Sequence, residues 1–255
     1  MKSWLMIFLL LFASQGKKPL SAEHHGFLAD GRGQFYVLQS DGIDLIDKEG
    51  KLSRHHSEKL LGHIGSVDQT SFMRLLVFFD EVPGFQILDN TLSPHTDLVD
   101  LNLLERPFIS LMCTSSNNSY WLYDAVSFEL IRIDGNNRVI SNSGNLMNVV
   151  KLKIEPFKIS ESGNRVYLAD REQGLLIFDQ FGVFIHRLEI SDLKDFKAEE
   201  EMLYLLHEDK LSSYAGQPKD IKLIDIVVPE ASSYLDVDAK YIFIGDGSSI
   251  WTFPR

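Results

Sequence analysis

Along residues 119–137, SYWLYDAVSFELIRIDGNN, a run of apolar and aromatic positions ends in an acid, and a second apolar run follows. The same order returns in QFYVLQSDGIDLIDKEGKL from Gln34, RLLVFFDEVPGFQILDNTL from Arg74, RVYLADREQGLLIFDQFGVF from Arg165, MLYLLHEDKLSSYAG from Met202 and YIFIGDGSSIWTF from Tyr241. With Tyr36, Leu76, Tyr120, Val166, Leu203 and Tyr241 as markers, the intervals are 40, 44, 46, 37 and 38 residues. A period near 40 that is dense in β-branched and aromatic residues is the signature of small sheets repeated around an axis.

Each unit divides into four strands. In the third copy PFISLMCTS is an inner strand, SYWLYD the second, FELIRID the third and NRVISNS an outer strand; the fourth copy divides into PFKISES, RVYLADR, GLLIFD and VFIHRLEI. Dipeptides at 41–42 (DG), 83–84 (PG), 173–174 (QG) and 246–247 (DG) fit the hairpin turns between them. Near-continuous apolar runs such as LLVFF and YIFI predict sheets buried on both faces. The strongest helical candidate, DLKDFKAEEEMLYLL, spreads charge over every face and gives no stable stripe.

This order of apolar run, acidic turn and short strand ending in Asp resembles exported six-bladed β-propellers of the NHL and TolB-like kind. The resemblance spans residues 17–255 and implies an all-β fold of six four-stranded antiparallel blades. The fifth copy departs from the pattern, because KLSSYA is polar and lacks the closing Asp. The last copy ends at SIWTFPR without an outer strand, and KKPLSAE, residues 17–23, precedes the first inner strand without a blade of its own. The N-terminal segment is therefore expected to supply the missing outer strand, closing the ring and covering an open sheet edge.

Residues 1–16, MKSWLMIFLLLFASQG, break from this pattern. Lys2, ten apolar residues from Trp4 to Ala13 and a small-residue exit read as a signal peptide cleaved near Gly16, with the product periplasmic or extracellular. The apolar stretch falls short of the roughly 20 residues that span a bilayer, so no membrane insertion of the mature chain is expected. Removal leaves 239 residues and shifts the formal charge from −11 to −12. A surface this acidic, with scattered Lys and Arg, argues against nucleic acid as partner. Cys113, the sole cysteine, lies in an apolar run and reads as a small buried hydrophobe, not a nucleophile.

Acids recur at the turns between second and third strands: Asp41, Asp80, Asp124, Asp170, Glu208 with Asp209, and Asp246. They read as turn caps, as do Asp47, Asp89, Asp134 and Asp179 at the ends of third strands. The segments leading into the inner strands hold the binding candidates for one mouth of the channel: Glu23, His25, Asp68, Glu105, Arg106, Glu155 and Asp195. ERPFIS and EPFKIS repeat a Phe expected to plug the space between blades. Adjacent residues on a strand point to opposite faces, so neither His24-His25 nor His55-His56 can chelate one ion alone. Trp121 and Tyr123 share one strand face and read as packing between blades.

The reading reached is a non-enzymatic exported binding or scaffold module without cofactor, a monomer whose loop face takes a protein or small ligand. The acidic rim favours a cationic one. The resemblance also implies an alternative, a metal-dependent lactonase or hydrolase of the calcium type with Glu23, His25, Glu105 and Glu155 as ligands at the central channel.

Overall fold

The computed structural model describes residues 18–39, 42–58, 61–71, 73–104, 108–199, 202–216 and 220–255. The expected leader, residues 1–16, lies outside them, as do Asp41, Glu105 and Arg106. Six four-stranded antiparallel sheets form a six-bladed β-propeller. Blade 1 is β2 (Gly26–Ala29), β3 (Gln34–Gln39), β4 (Gly42–Asp47) and β5 (Leu52–His56). Blade 2 is β6 (Ile64–Ser71), β7 (Arg74–Phe79), β8 (Gly84–Leu88) and β9 (Val99–Asp100). Blade 3 is β10 (Ile109–Ser115), β11 (Ser119–Asp124), β12 (Glu129–Ile133) and β13 (Val139–Asn145). Blade 4 is β14 (Pro156–Ser162), β15 (Arg165–Asp170), β16 (Gly174–Asp179) and β17 (Phe184–Leu188). Blade 5 is β18 (Leu193–Glu199), β19 (Met202–His207), β20 (Lys210–Tyr214) and β21 (Lys222–Leu223). Blade 6 is β22 (Tyr234–Val237), β23 (Tyr241–Gly245) and β24 (Ser249–Pro254), completed by β1 (Leu20–Ser21).

Alternation along each strand feeds two interfaces at once. In β7, Leu75, Val77 and Phe79 face blade 1 while Leu76 and Phe78 face blade 3. One apolar cluster thereby fills each of the six gaps between neighbouring blades. Side chains of this size contribute about 1.5–3 kcal/mol each when fully buried, so the ring is held by its interfaces and not by any single blade. Trp121 and Tyr123 are buried between blades 3 and 4, and Cys113 lies in the same cluster with its thiol pushed well up by burial.

The ring closes as the sequence implied. Leu20 pairs with Ile250 and Ser21 with Ser249, which places the N-terminal segment on the edge of blade 6. Ala22 N–H donates to Ser248 O at 2.9 Å and His24 N–H to Gly247 O at 2.8 Å. The buried His24 ring extends the seam: Nδ1 lies 2.7 Å from Ala22 O and Nε2 accepts from Gly247 N–H at 3.2 Å, which fixes the neutral tautomer. Gly245 is required beside it, because a Cβ there would lie 2.5 Å from Nε2.

The third strands of blades 1 to 4 end in one repeated turn. Asp47, Asp89, Asp134 and Asp179 each accept, through Oδ1, the backbone N–H groups two and four residues on, at 2.7–3.0 Å. The residue three positions on is left-handed in every case: Gly50, Leu92, Asn137 and Gly182. These acids are turn caps. The one α-helix among the described residues, α1 (Leu146–Val150), is a single short turn leading into blade 4 and capped by Asn145. Periodicity could not reveal so short an element.

Candidate functional site

Chain direction sorts the connections onto two faces. The upper face carries the links into inner strands and the turns between second and third strands; the lower face carries the remaining turns. Between them, the inner strands line the central channel.

The channel is a network of mutually satisfied charges. Asp68 and Asp195 do not lie in the connections of the upper rim, where they were expected, but within β6 and β18. Asp68 accepts Thr114 N–H of blade 3 at 2.8 Å and the Thr114 hydroxyl through the same oxygen. Asp195 Oδ1 meets Lys158 Nζ of blade 4 at 2.5 Å and Phe196 N–H at 2.8 Å, while Oδ2 accepts Leu235 N–H of blade 6 at 2.7 Å. Asp236 Oδ2 accepts Ala29 N–H of blade 1 at 2.7 Å, and Oδ1 lies 2.6 Å from Lys197 Nζ. Burial alone would lower the pKa of Lys197, yet the charges of Asp236, Asp68 and Glu199 outweigh it and raise the value. Blade 2 stands opposite blade 5, so the influence of Asp68 on Lys197 acts across the axis. These carboxylates tie blade to blade.

On the upper rim, Glu23, His25 and Glu155 are exposed and far less engaged. Glu155 pairs with Lys153 at 2.5 Å, both largely in solvent. Among the described residues no three of His, Cys, Asp and Glu gather as metal ligands. The turn acids cap their own loops: Asp124 Oδ1 accepts Val126 and Ser127 N–H, Asp170 Oδ1 accepts Glu172 and Gln173 N–H, and Asp246 Oδ1 accepts Ser248 and Ser249 N–H. Each histidine pair splits as strand alternation demands, with His24 and His56 buried and His25 and His55 exposed.

The repeated Phe takes the expected plugging role at one position only, where Phe157 packs against the apolar cluster between blades 4 and 5. Phe108 does not plug an interface; it is 54% exposed. Its counterpart Phe157 is half-buried beneath the Arg171 guanidinium, 4.5 Å from the ring centroid. Phe108 and Val126, itself 59% exposed, border an open cleft of about 500 Å³ on the upper face between blades 2 and 3. Asp80, Glu81 and His63 form its other side, and His63 Nδ1 lies 3.4 Å from Asp80 Oδ1. Gly62 and Gly65 admit these acids: a Cβ on Gly62 would meet Glu81 Oε2 at 2.1 Å, and one on Gly65 would meet the Asp80 side chain at 2.9 Å. The sequence showed the Asp80 turn and Phe108, but their meeting in one cleft depends on stacking of neighbouring blades.

No family model matches the chain, and no curated protein matches it. Solved structures do. The Pan2 WD40 domain of Neurospora crassa is similar at 8% identity with a TM-score of 0.63, over 92% of this chain and 90% of that one. Virginiamycin B lyase from Staphylococcus aureus, solved with quinupristin, is similar at 10% identity and 0.62, over 94% and 100%. BBS1N, solved in complex with ARL6DN, is similar at 10% and 0.57, over 87% and 75%. Propellers of such different roles at so low an identity share the fold with this chain, and a six-bladed β-propeller is what the likeness shows.

Proposed function

We propose that this chain is an exported, non-enzymatic binding module that holds a protein partner on its upper face, with the cleft between blades 2 and 3 as the anchoring point. The observation that carries the reading is the exposed Phe108–Val126 pair beside Asp80 and Glu81. An apolar wall next to carboxylates fits a basic segment with a neighbouring apolar side chain, which snorkels its charge to the acids and buries its stem against the ring. Glu23, Glu155 and the capped turn acids extend the negative potential over the same face and favour fast, salt-sensitive encounter. A structural neighbour also has a protein partner, since BBS1N was solved in complex with ARL6DN.

A photo-crosslinking residue placed at Val126 in the native host tests the reading. The expected product is a discrete protein joined through a basic surface, lost when Glu81 is changed to Lys and weakened by salt. Equal capture from a crosslinker at Leu223 on the outer wall, or capture indifferent to Glu81→Lys, overturns it.

A further inference from the structure

A second large cavity lies on the opposite, lower face, at the seam where blade 6 meets blade 1. It measures about 650 Å³, against about 500 Å³ for the upper-face cleft between blades 2 and 3 and about 240 and 270 Å³ for two smaller cavities between the same blades. Its size has a local cause. The turn between β2 and β3 is DGRG, and a Cβ on Gly31 or Gly33 would meet nothing within 4 Å. Both glycines are left-handed, at φ 73° and 98°, a conformation the turn needs and side-chain-bearing residues resist. At the interface of blades 3 and 4, by contrast, the Trp121 ring fills the space up to Gly182, where a Cβ would lie 3.2 Å from it.

The lining has two chemistries. The floor is aromatic: Phe35 and Phe243 meet edge to face at 5.2 Å, and Tyr241 lies 6.1 Å from Phe243. The rim is basic, with Lys18, Arg32, Lys48 and Lys240 against two acids, Glu49 and Asp238. The two acids leave the rim with an excess of cations. Glu49 stands beside its own neighbour Lys48 at 3.6 Å, and Asp238 Oδ1 caps the turn by accepting Lys240 and Tyr241 N–H at 2.7 Å each. Among the described residues, Lys18 and Lys240 have no carboxylate within ion-pairing distance. A concentration of cations over an aromatic floor, on a chain of formal charge −11, opposes the overall charge balance.

We infer that this seam groove is a binding site for a small amphipathic organic anion, a carboxylate or phosphate ester whose aromatic or flat apolar group lies on Phe35 and Phe243. Ammonium and guanidinium groups hold the anionic end by charge-assisted hydrogen bonds, and the rings take the apolar end. Occupancy also bridges β1, the first blade and the last blade, so a ligand there stabilises the closed ring by mass action.

Phenyl phosphate and benzoate are the probes, with benzylamine and inorganic phosphate as controls, titrated into the protein and followed by amide chemical shifts. Both aromatic anions are expected to perturb Gly31, Gly33, Glu49 and Tyr241 and to raise the melting temperature. The tighter of the two distinguishes an ester phosphate from a carboxylate. The double variant Lys18→Gln/Lys240→Gln is expected to weaken binding about tenfold or more. Thr252→Phe, which fills the groove without touching its charges, is expected to abolish it. Shifts scattered away from the seam, benzylamine binding equally well, inorganic phosphate matching phenyl phosphate, or unaltered binding in a folded Thr252→Phe variant each overturn the assignment.

Discussion

Lys197 Nζ lies 2.6 Å from Asp236 Oδ1, a contact that joins blade 5 to blade 6 at the channel axis. The Asp236 side chain is only 2% exposed, and its Oδ1 has no aligned hydrogen-bond donor, so the ammonium charge is what compensates it. Through Oδ2 the same residue reaches Ala29 of blade 1. Changing Lys197 to Met strands a buried carboxylate and is expected to cost about 3 kcal/mol. Asp236→Asn keeps an acceptor for Ala29 and relieves the stranded charge, so the double variant is expected to be more stable than Lys197→Met alone. Urea unfolding of the two single variants and the double one measures the coupling. Additive losses would show that the pair does not act as a unit.

The closing seam is expected to be pH-sensitive. Burial lowers the pKa of His24 below its usual 6.5, against smaller opposing effects from the Ala22 carbonyl and Asp246. The unfolded chain therefore takes up a proton near pH 6.5 while the folded ring resists it. Stability is full above that pH and falls as the pH drops through the range between the two pKa values. His56, His186 and His207 are lowered by burial too and share the slope. His24→Gln is expected to lower the melting temperature at pH 8 yet to flatten its decline toward pH 5.5. An unchanged decline would place the sensitivity elsewhere.

The channel and the seam separate what the sequence displayed from what it concealed. Period-2 alternation and the acid at each turn are local properties, so six blades and their strand divisions were legible, and the chain's unassigned N-terminal segment pointed to the outer strand found at Leu20–Ser21. The four Asp caps were legible for the same reason, since each bonds only to its own loop. Asp68 and Asp195 were misplaced because both belong to strands whose polar side chains point to neighbouring blades, and nothing in a single strand marks that partner. Phe108 was misread as a plug because exposure depends on what the next blade presents. The basic groove escaped notice because Lys18, Arg32, Lys48 and Lys240 are spread over more than 220 positions and meet only when the ring closes.

The repeated turn after the third strand allows opposite demands on one backbone position to be compared. At φ 81°, Gly182 carries no side chain, and a Cβ would press on Trp121 at 3.2 Å. Gly182→Ala is expected to cost about 1–2 kcal/mol, a fall of roughly 2–6 °C for a domain of this size. At φ 62°, Leu92 bears the strain of the left-handed region but buries its side chain between blades 1 and 2. Leu92→Gly relieves about 1 kcal/mol of strain and forfeits about 2–3 kcal/mol of burial, so a net loss is expected. A stabilised Leu92→Gly variant in thermal melts would mean that strain, not packing, dominates there.

Glu161 of blade 4 locks blade 3 in place by accepting from three of its groups: the Ser115 hydroxyl, Ser116 N–H and the Trp121 indole N–H, the last at 2.6 Å. Trp121 is fully buried, so its N–H has no route to water if that acceptor is removed. Glu161→Ala is expected to cost about 2 kcal/mol, the penalty of a buried donor left without a partner. Glu161→Gln retains a carbonyl oxygen at the same reach and is expected to lose less, because only the charge assistance goes. The indole proton resonance of Trp121 reports the bond directly. It is expected downfield and protected from exchange in the wild type, intermediate in Glu161→Gln, and exchanging faster in Glu161→Ala. Equal protection in all three would show that packing of the indole ring against Arg132 and the blade 4 strands, and not the carboxylate, holds this interface shut.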